Sequence, residues 1–171
     1  MGALDDIDLL TSSCNLLLPL IEEHEDQAFK ILEVSGATSA VNALRALRVQ
    51  KTTLAIGMFS MYEAVLQDGF GFGKYAFDDL EKKLKSDGHI DIAKDFEKYR
   101  LAINVLKHGS VRSYDDLLKF LPDLEFNIQG DGSEIFEEGN VNVGQFLVHV
   151  DSTFVRRCAE LIEISLNSIR A

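Results

Sequence analysis

Three polar side chains stand at helical spacing in the middle of this chain. Arg100, Asn104 and His108 follow one another at intervals of four residues, so a helix would align them in one slightly drifting stripe. Gly109 would end that helix, because glycine most easily adopts the left-handed backbone of a C-cap. Arginine can neutralise a phosphate, histidine can move a proton, and an amide can orient both. The spacing indicates a polar site for phosphate or RNA.

Each of these residues also has an ordinary structural explanation. A histidine in the last helical turn is favoured because it meets the negative end of the helix dipole. Asn104 could satisfy a neighbouring helix, and Arg100 could lie in solvent. The spacing alone leaves both interpretations open.

The segment NVLKHGSVRSY, residues 104–114, resembles the signature helix of HEPN domains, which are small all-helical domains that usually form dimers. In active members an arginine is followed by a polar residue, often asparagine, and a few residues later by a histidine. The resemblance implies that Asn104 and His108 take the last two positions. Ile103 stands where the family has its arginine, so Arg100 would be a displaced substitute.

The resemblance also implies an assembly and an activity. The signature helix would pair with its copy in a second subunit, and in active relatives the arginines and histidines of both copies form a metal-independent ribonuclease site. We therefore expect a homodimer without a cofactor, in which Arg100, Asn104 and His108 are the candidate catalytic residues. Toxin–antitoxin and host-defence systems are the settings that the resemblance suggests, and an antitoxin-type protein would be a further partner.

Local charge adds candidate binding residues. The formal net charge of −11 argues against a general nucleic-acid-binding surface, because such binding relies on cations that neutralise phosphates. Residues 94–112 nevertheless hold five cations against two carboxylates, with Lys107 and Arg112 beside the polar stripe. Such a patch suits a nucleotide, an RNA end or an acidic protein. Glu63 lies in the apolar stretch 58–66, where a carboxylate needs either solvent or a partner such as Arg100 or His108.

Two classes of function fit these residues. The first is a HEPN-like dimer that binds RNA, a nucleotide or a protein partner without catalysis. The second is a metal-independent endoribonuclease with a composite site at the dimer interface. Ile103 at the arginine position and the acidic net charge favour the first class. An unrelated helical protein would explain everything except the match at residues 104–109.

The remaining motifs indicate no metal or cofactor site. Cys14 and Cys158 have no metal-ligand spacing, and free cysteines usually pack as small hydrophobic residues. His24 lies in the charged cluster 22–26, where consecutive helical residues point in different directions. The acidic turn region 131–138 lacks the spacing of an EF-hand. The glycine-rich segment 68–74 lacks the Gly-Lys-Ser/Thr ending of a phosphate loop.

The N-terminal sequence and the hydropathy of the chain predict where the protein is located in the cell. The N-terminus is acidic and lacks the basic region of a secretory signal, and no apolar run reaches the roughly 18 residues that cross a bilayer. We expect a cytoplasmic protein with no membrane contact.

Apolar spacing predicts an all-α, up-and-down bundle of about five helices in one domain, residues 1–171. The expected helices span residues 5–34, 38–67, 76–86, 89–107 and 144–169, and Pro19 should kink or restart the first. A capping box at 113–116 should open a further short helix that Pro122 closes. Turn-forming and alternating residues at 123–143 favour a small β-hairpin or an ordered loop.

Overall fold

The computed structural model describes residues 3–109, 112–129 and 147–170, with side chains described from residue 7 onward. The described residues form six α-helices, one 3₁₀ turn at Leu121–Asp123, and no β-strand, which confirms the predicted all-α bundle. The helices are α1 (Ala3–Ser35), α2 (Thr38–Phe70), α3 (Ala76–Ser86), α4 (Ile90–His108), α5 (Arg112–Leu118) and α6 (Ser152–Arg170). No helix in these segments is both long and apolar enough to cross a membrane.

The two longest helices, α1 and α2, pack against each other as an antiparallel hairpin. Each has 33 residues, which corresponds to a length of about 50 Å. Gly36 reverses the chain between them with a φ of 57°, a conformation that favours glycine. Of the two outcomes expected at Pro19, a kink or a restart, the restart does not occur: α1 runs through Pro19 without a break. Leu18 and Ile21, both buried, hold the two sides of the proline against the core.

Helix α4 occupies the centre of the bundle, in contact with α2, α3, α5 and α6. Its core-facing side carries Phe96, whose ring lies 5.5 Å from that of Phe59 and 5.4 Å from that of Phe77, measured between centroids. Tyr62 joins the same aromatic cluster, and its hydroxyl lies 2.9 Å from Ser165 Oγ on α6. The aromatic cluster therefore ties α2, α3, α4 and α6 together and sets the position of the polar residues on α4.

The last helix begins later than the sequence suggested. Residues 147–150 precede α6 instead of forming its first turns, and Asp151 accepts a 2.7 Å hydrogen bond from the backbone N–H of Phe154, which caps the helix. The chain just before the cap is held by an antiparallel bridge between Ile128 and Val148. Apolar spacing favoured a helix from residue 144, but the pairing of Val148 with Ile128 delays the start of α6.

The predicted insertion at 123–143 falls mainly outside the described residues, as do residues 144–146. The described ends of this region pair across the gap: Gln129 N–H donates to Leu147 O at 2.9 Å, and His149 N–H donates to Asn127 O at 2.8 Å. At the predicted capping box, Ser113 lies within α5 rather than before it.

Candidate functional site

Three of the residues singled out on α4, namely Arg100, Asn104 and Lys107, open onto a cleft of about 180 Å³ between α2, the start of α3, and α4. We call it the α2–α4 cleft. Its floor is apolar, and its walls carry polar and charged side chains from three parts of the chain. The lining residues are Phe59, Ser60, Glu63, Lys74, Tyr75, Phe77, Asp78, Arg100, Ile103, Asn104 and Lys107.

Four of the six candidate residues converge on this cleft, namely Arg100, Asn104, Lys107 and Glu63. His108 does not line it and is exposed in the last turn of α4. The reason is helical geometry. Residues eight apart on a helix of 3.6 residues per turn differ in direction by roughly 80°. The predicted stripe therefore divides, with its first two members in the cleft and His108 beside it.

Arg100 is held by carboxylates of α3. Its Nε donates a 2.6 Å hydrogen bond to Glu81 Oε1, and its Nη1 lies 3.5 Å from Asp78 Oδ1. The Glu81 side chain is only 9% exposed. Burial raises the pKa of Glu81, and the charge and hydrogen bond of Arg100 oppose that rise. The positive charge of Arg100 is therefore already balanced within the protein.

Glu63 does not have the partner expected for it. The described residues offer it no ion pair, and its side chain is half-buried at the cleft wall. Arg100 pairs with Glu81 instead, because α3 packs directly along α4 and brings that carboxylate to the guanidinium. Glu63 thus follows the other expectation for a carboxylate in an apolar stretch, which is contact with solvent.

Ile103 forms part of the cleft floor and is only 3% exposed. An arginine at this position would bring its charge against the apolar core, which is expensive without a partner. At this position the chain therefore has a packed apolar side chain, where the motif that it resembles has an arginine.

Arg112 lies in a second, larger cleft of about 510 Å³ between α3, α4 and α5. Its side chain is 94% exposed and lies 3.7 Å from Asp116. Arg100 and Asp78 border both clefts. Arg100, Arg112 and Lys119 face Asp78, Glu97 and Asp116 there, so the charges of the second cleft cancel and no anion is favoured.

Sequence reasoning missed Lys74 and Tyr75, which reach the cleft from the connection between α2 and α3. Gly71 starts this connection with a φ of 66°, and Asp79 accepts a 3.3 Å hydrogen bond from Gly73 N–H. Lys74 Nζ lies 5.7 Å from the centroid of the exposed Tyr75 ring, within cation–π range. The available signal was Lys74 at the end of the glycine-rich segment 68–74, with Tyr75 directly after it.

The α2–α4 cleft offers binding groups of several kinds. Tyr75 presents an aromatic face, Asn104 an amide, and Lys74 and Lys107 present cations. Neither Asn104 nor Lys107 forms a side-chain hydrogen bond or ion pair with the described residues. Across the described segments, no group of three or more His, Cys, Asp or Glu side chains is arranged to hold a metal ion.

Comparison of the chain with protein-family models, with characterised proteins and with solved structures finds no match. The resemblance to HEPN domains therefore rests on the residues of α4 and those that follow it.

Proposed function

We propose that the chain is a HEPN-like, non-catalytic module whose α2–α4 cleft binds a nucleotide unit of single-stranded RNA. The observation that carries this proposal is the convergence of an aromatic ring, an amide and two lysines on one cleft with an apolar floor. These are the groups that recognise a base and its phosphate in single strands, where unstacked bases can be reached.

Each wall of the cleft has a role in this proposal. The Tyr75 ring stacks on the base, and Asn104 pairs with the polar edge of the base. Lys74 and Lys107 contact the flanking phosphate. Glu63 accepts a hydrogen bond from the ribose 2′-hydroxyl or from a base amino group, which gives a preference over a simple anion.

Two features favour binding over cleavage. Arg100, which would have to stabilise phosphate charge, already pairs with Glu81 and Asp78. His108, which would have to move the proton, lies outside the cleft. The formal net charge of −11 also restricts the protein to a few phosphate contacts at a local site.

The proposal is tested by fluorescence anisotropy with a 5′-labelled octauridylate. We expect Tyr75→Ala and Lys107→Glu each to weaken binding about tenfold, since stacking on one base contributes about 1–3 kcal/mol. With two phosphate contacts, the logarithm of the binding constant should fall with log salt at a slope of about −1.4.

The matched control for Lys107→Glu is Lys82→Glu, because Lys82 is 78% exposed on α3 and does not line the cleft. Both variants change the net charge equally, so a general electrostatic effect would weaken binding to the same extent in each. Equal losses would overturn the cleft as the binding site.

The endoribonuclease remains the second candidate, and one observation favours it. His108 is exposed on the last turn of α4, where a second subunit could bring a cation to it. We expect the wild-type protein to leave labelled RNA intact in the presence of EDTA. Cleavage under that condition, lost in His108→Ala, would establish the catalytic alternative and exclude pure binding.

A homodimer and a cytoplasmic location belong to the same proposal. Other helices cover most of α4, and Lys107 and His108 are exposed in its last turn. The toxin–antitoxin or host-defence setting and an antitoxin-type partner are supported by the motif resemblance alone.

A further inference from the structure

The α1–α2 hairpin has one side that the rest of the bundle does not cover. α6 packs against both helices on the side that carries Cys14, Leu18 and Tyr62. The other side, which we call the hairpin face, holds two grooves of about 380 and 390 Å³. One groove lies near the chain start and the other near the turn at Gly36, so together they follow much of the hairpin.

The hairpin face carries no formal charge in either groove. Although 26% of the chain is charged, no Asp, Glu, Lys or Arg lines these grooves. Large apolar side chains stand exposed along the same side of α1, at intervals that keep one helical face: Leu9, Leu16, Leu20, Ile31 and Val34. An apolar face of this length is unusual on a monomer and marks an interaction surface.

We propose that a second copy of this chain covers the hairpin face, so that α1, α2 and their two copies form a four-helix bundle around a two-fold axis parallel to the hairpin. This deepens the homodimer of the proposed function by naming its surface, and it does not depend on what the α2–α4 cleft binds.

The shape of the face is self-complementary. Its large exposed side chains lie mainly on α1, whereas α2 contributes small residues, among them Ala43, Ala46 and Gly57. A two-fold axis places α1 of one copy over α2 of the other twice. Each row of large side chains then meets a row of small ones, as helix packing requires.

The area is sufficient for a stable dimer. Each of the two helices is about 50 Å long and about 10 Å wide, so together they present a footprint of roughly 1,000 Å² per copy. Specific interfaces bury about 800 Å² per partner. A two-fold on this face leaves both α2–α4 clefts on the outer sides of the dimer, open to ligand.

Sedimentation velocity between 1 and about 50 μM tests the proposal. We expect the wild-type protein to sediment as a dimer and Leu20→Glu to raise the dimer Kd by about 100-fold or more. The symmetry brings two buried carboxylates into each interface, which makes a single substitution count twice.

The matched control is Phe29→Glu on the same helix. Phe29 is 54% exposed and Leu20 55%. Phe29 lies nine residues after Leu20, which places it on the opposite side of α1 from the hairpin face. A monomeric wild type, or equal sedimentation of the two variants, would overturn the proposal.

If Lys107→Glu sedimented as a monomer and Leu20→Glu as a dimer, the interface would lie at the end of α4, and the hairpin-face proposal would be wrong. RNA binding by the Leu20→Glu monomer separates this interface from the function of the cleft. Retained RNA binding with lost dimerisation in Leu20→Glu, and lost RNA binding with retained dimerisation in Tyr75→Ala, would support both proposals. A wild-type dimer that binds no RNA would support the interface alone.

Discussion

Replacing Arg100 with methionine should lower the free energy of unfolding by about 3 kcal/mol or more, as expected for breaking a buried ion pair. The substitution keeps the volume of the side chain but removes the cation 2.6 Å from Glu81, whose side chain is 9% exposed. Urea denaturation monitored by circular dichroism measures the change. Loss of RNA binding in an Arg100 variant could therefore result from unfolding, so the stability of the variant must be measured as well.

The double variant Arg100→Met, Glu81→Leu should recover most of this loss, because it leaves no buried charge without a partner. Lys82→Met is the control, since Lys82 is 78% exposed and its pair with Asp79 contributes little. Additive losses in the double variant would show that Arg100 and Glu81 do not act as a pair.

The loss in Arg100→Met should also depend on pH. Burial already raises the pKa of Glu81 above its ordinary value of 4.5, and removing Arg100 takes away the main opposing effect. The folded state then binds a proton more tightly than the unfolded state does. Stability contributed by the protonated group is complete below the unfolded pKa and is lost as the pH rises through the folded pKa. The variant should therefore approach wild-type stability on acidification, and a loss of equal size at all pH values would contradict this explanation.

Phe96→Ala should destabilise the protein by about 3–5 kcal/mol, the usual cost of removing a buried aromatic ring. The ring is fully buried and stacks on Phe59 at a centroid distance of 5.5 Å, with Phe77 at 5.4 Å on α3. Its loss leaves a cavity between the three helices that form the α2–α4 cleft. Urea denaturation measures the cost, and RNA binding should fall in step with the folded fraction.

Two controls separate the cavity from other effects of the Phe96 substitution. Phe96→Leu keeps most of the buried volume and should cost about half as much or less. Phe29→Ala removes the same ring from a site that is 54% exposed and should change stability by less than about 0.5 kcal/mol. A loss below 1.5 kcal/mol in Phe96→Ala would contradict the assigned packing.

Local sequence determined most helix boundaries. The α3 helix was predicted at residues 76–86 and is found there. Asp87 and Gly88, which follow it, are residue types that favour the end of a helix. The α4 helix ends at His108, followed by Gly109 with a φ of 79°. Boundaries set by glycine and by apolar periodicity depend on near neighbours in the chain, so a single sequence can reveal them.

Long-range pairing decided the boundary that was predicted wrongly. Leu147, Val148 and Val150 have apolar side chains compatible with a helix, yet Val148 pairs with Ile128 in a β-bridge, and α6 begins only after Asp151. The competing partner lies 20 residues earlier in the chain, beyond the reach of helical periodicity.

The same division holds for the candidate site. The sequence determined that Arg100 and Asn104 share one side of a helix, because their spacing fixes their relative direction. Only the tertiary structure decided that Glu81 rather than Glu63 meets Arg100, and that Lys74 and Tyr75 complete the cleft. An ion pair needs its charged atoms within about 4 Å. Which residues come that close depends on how α3 and α2 pack along α4, and helical spacing within one segment carries no information on that packing.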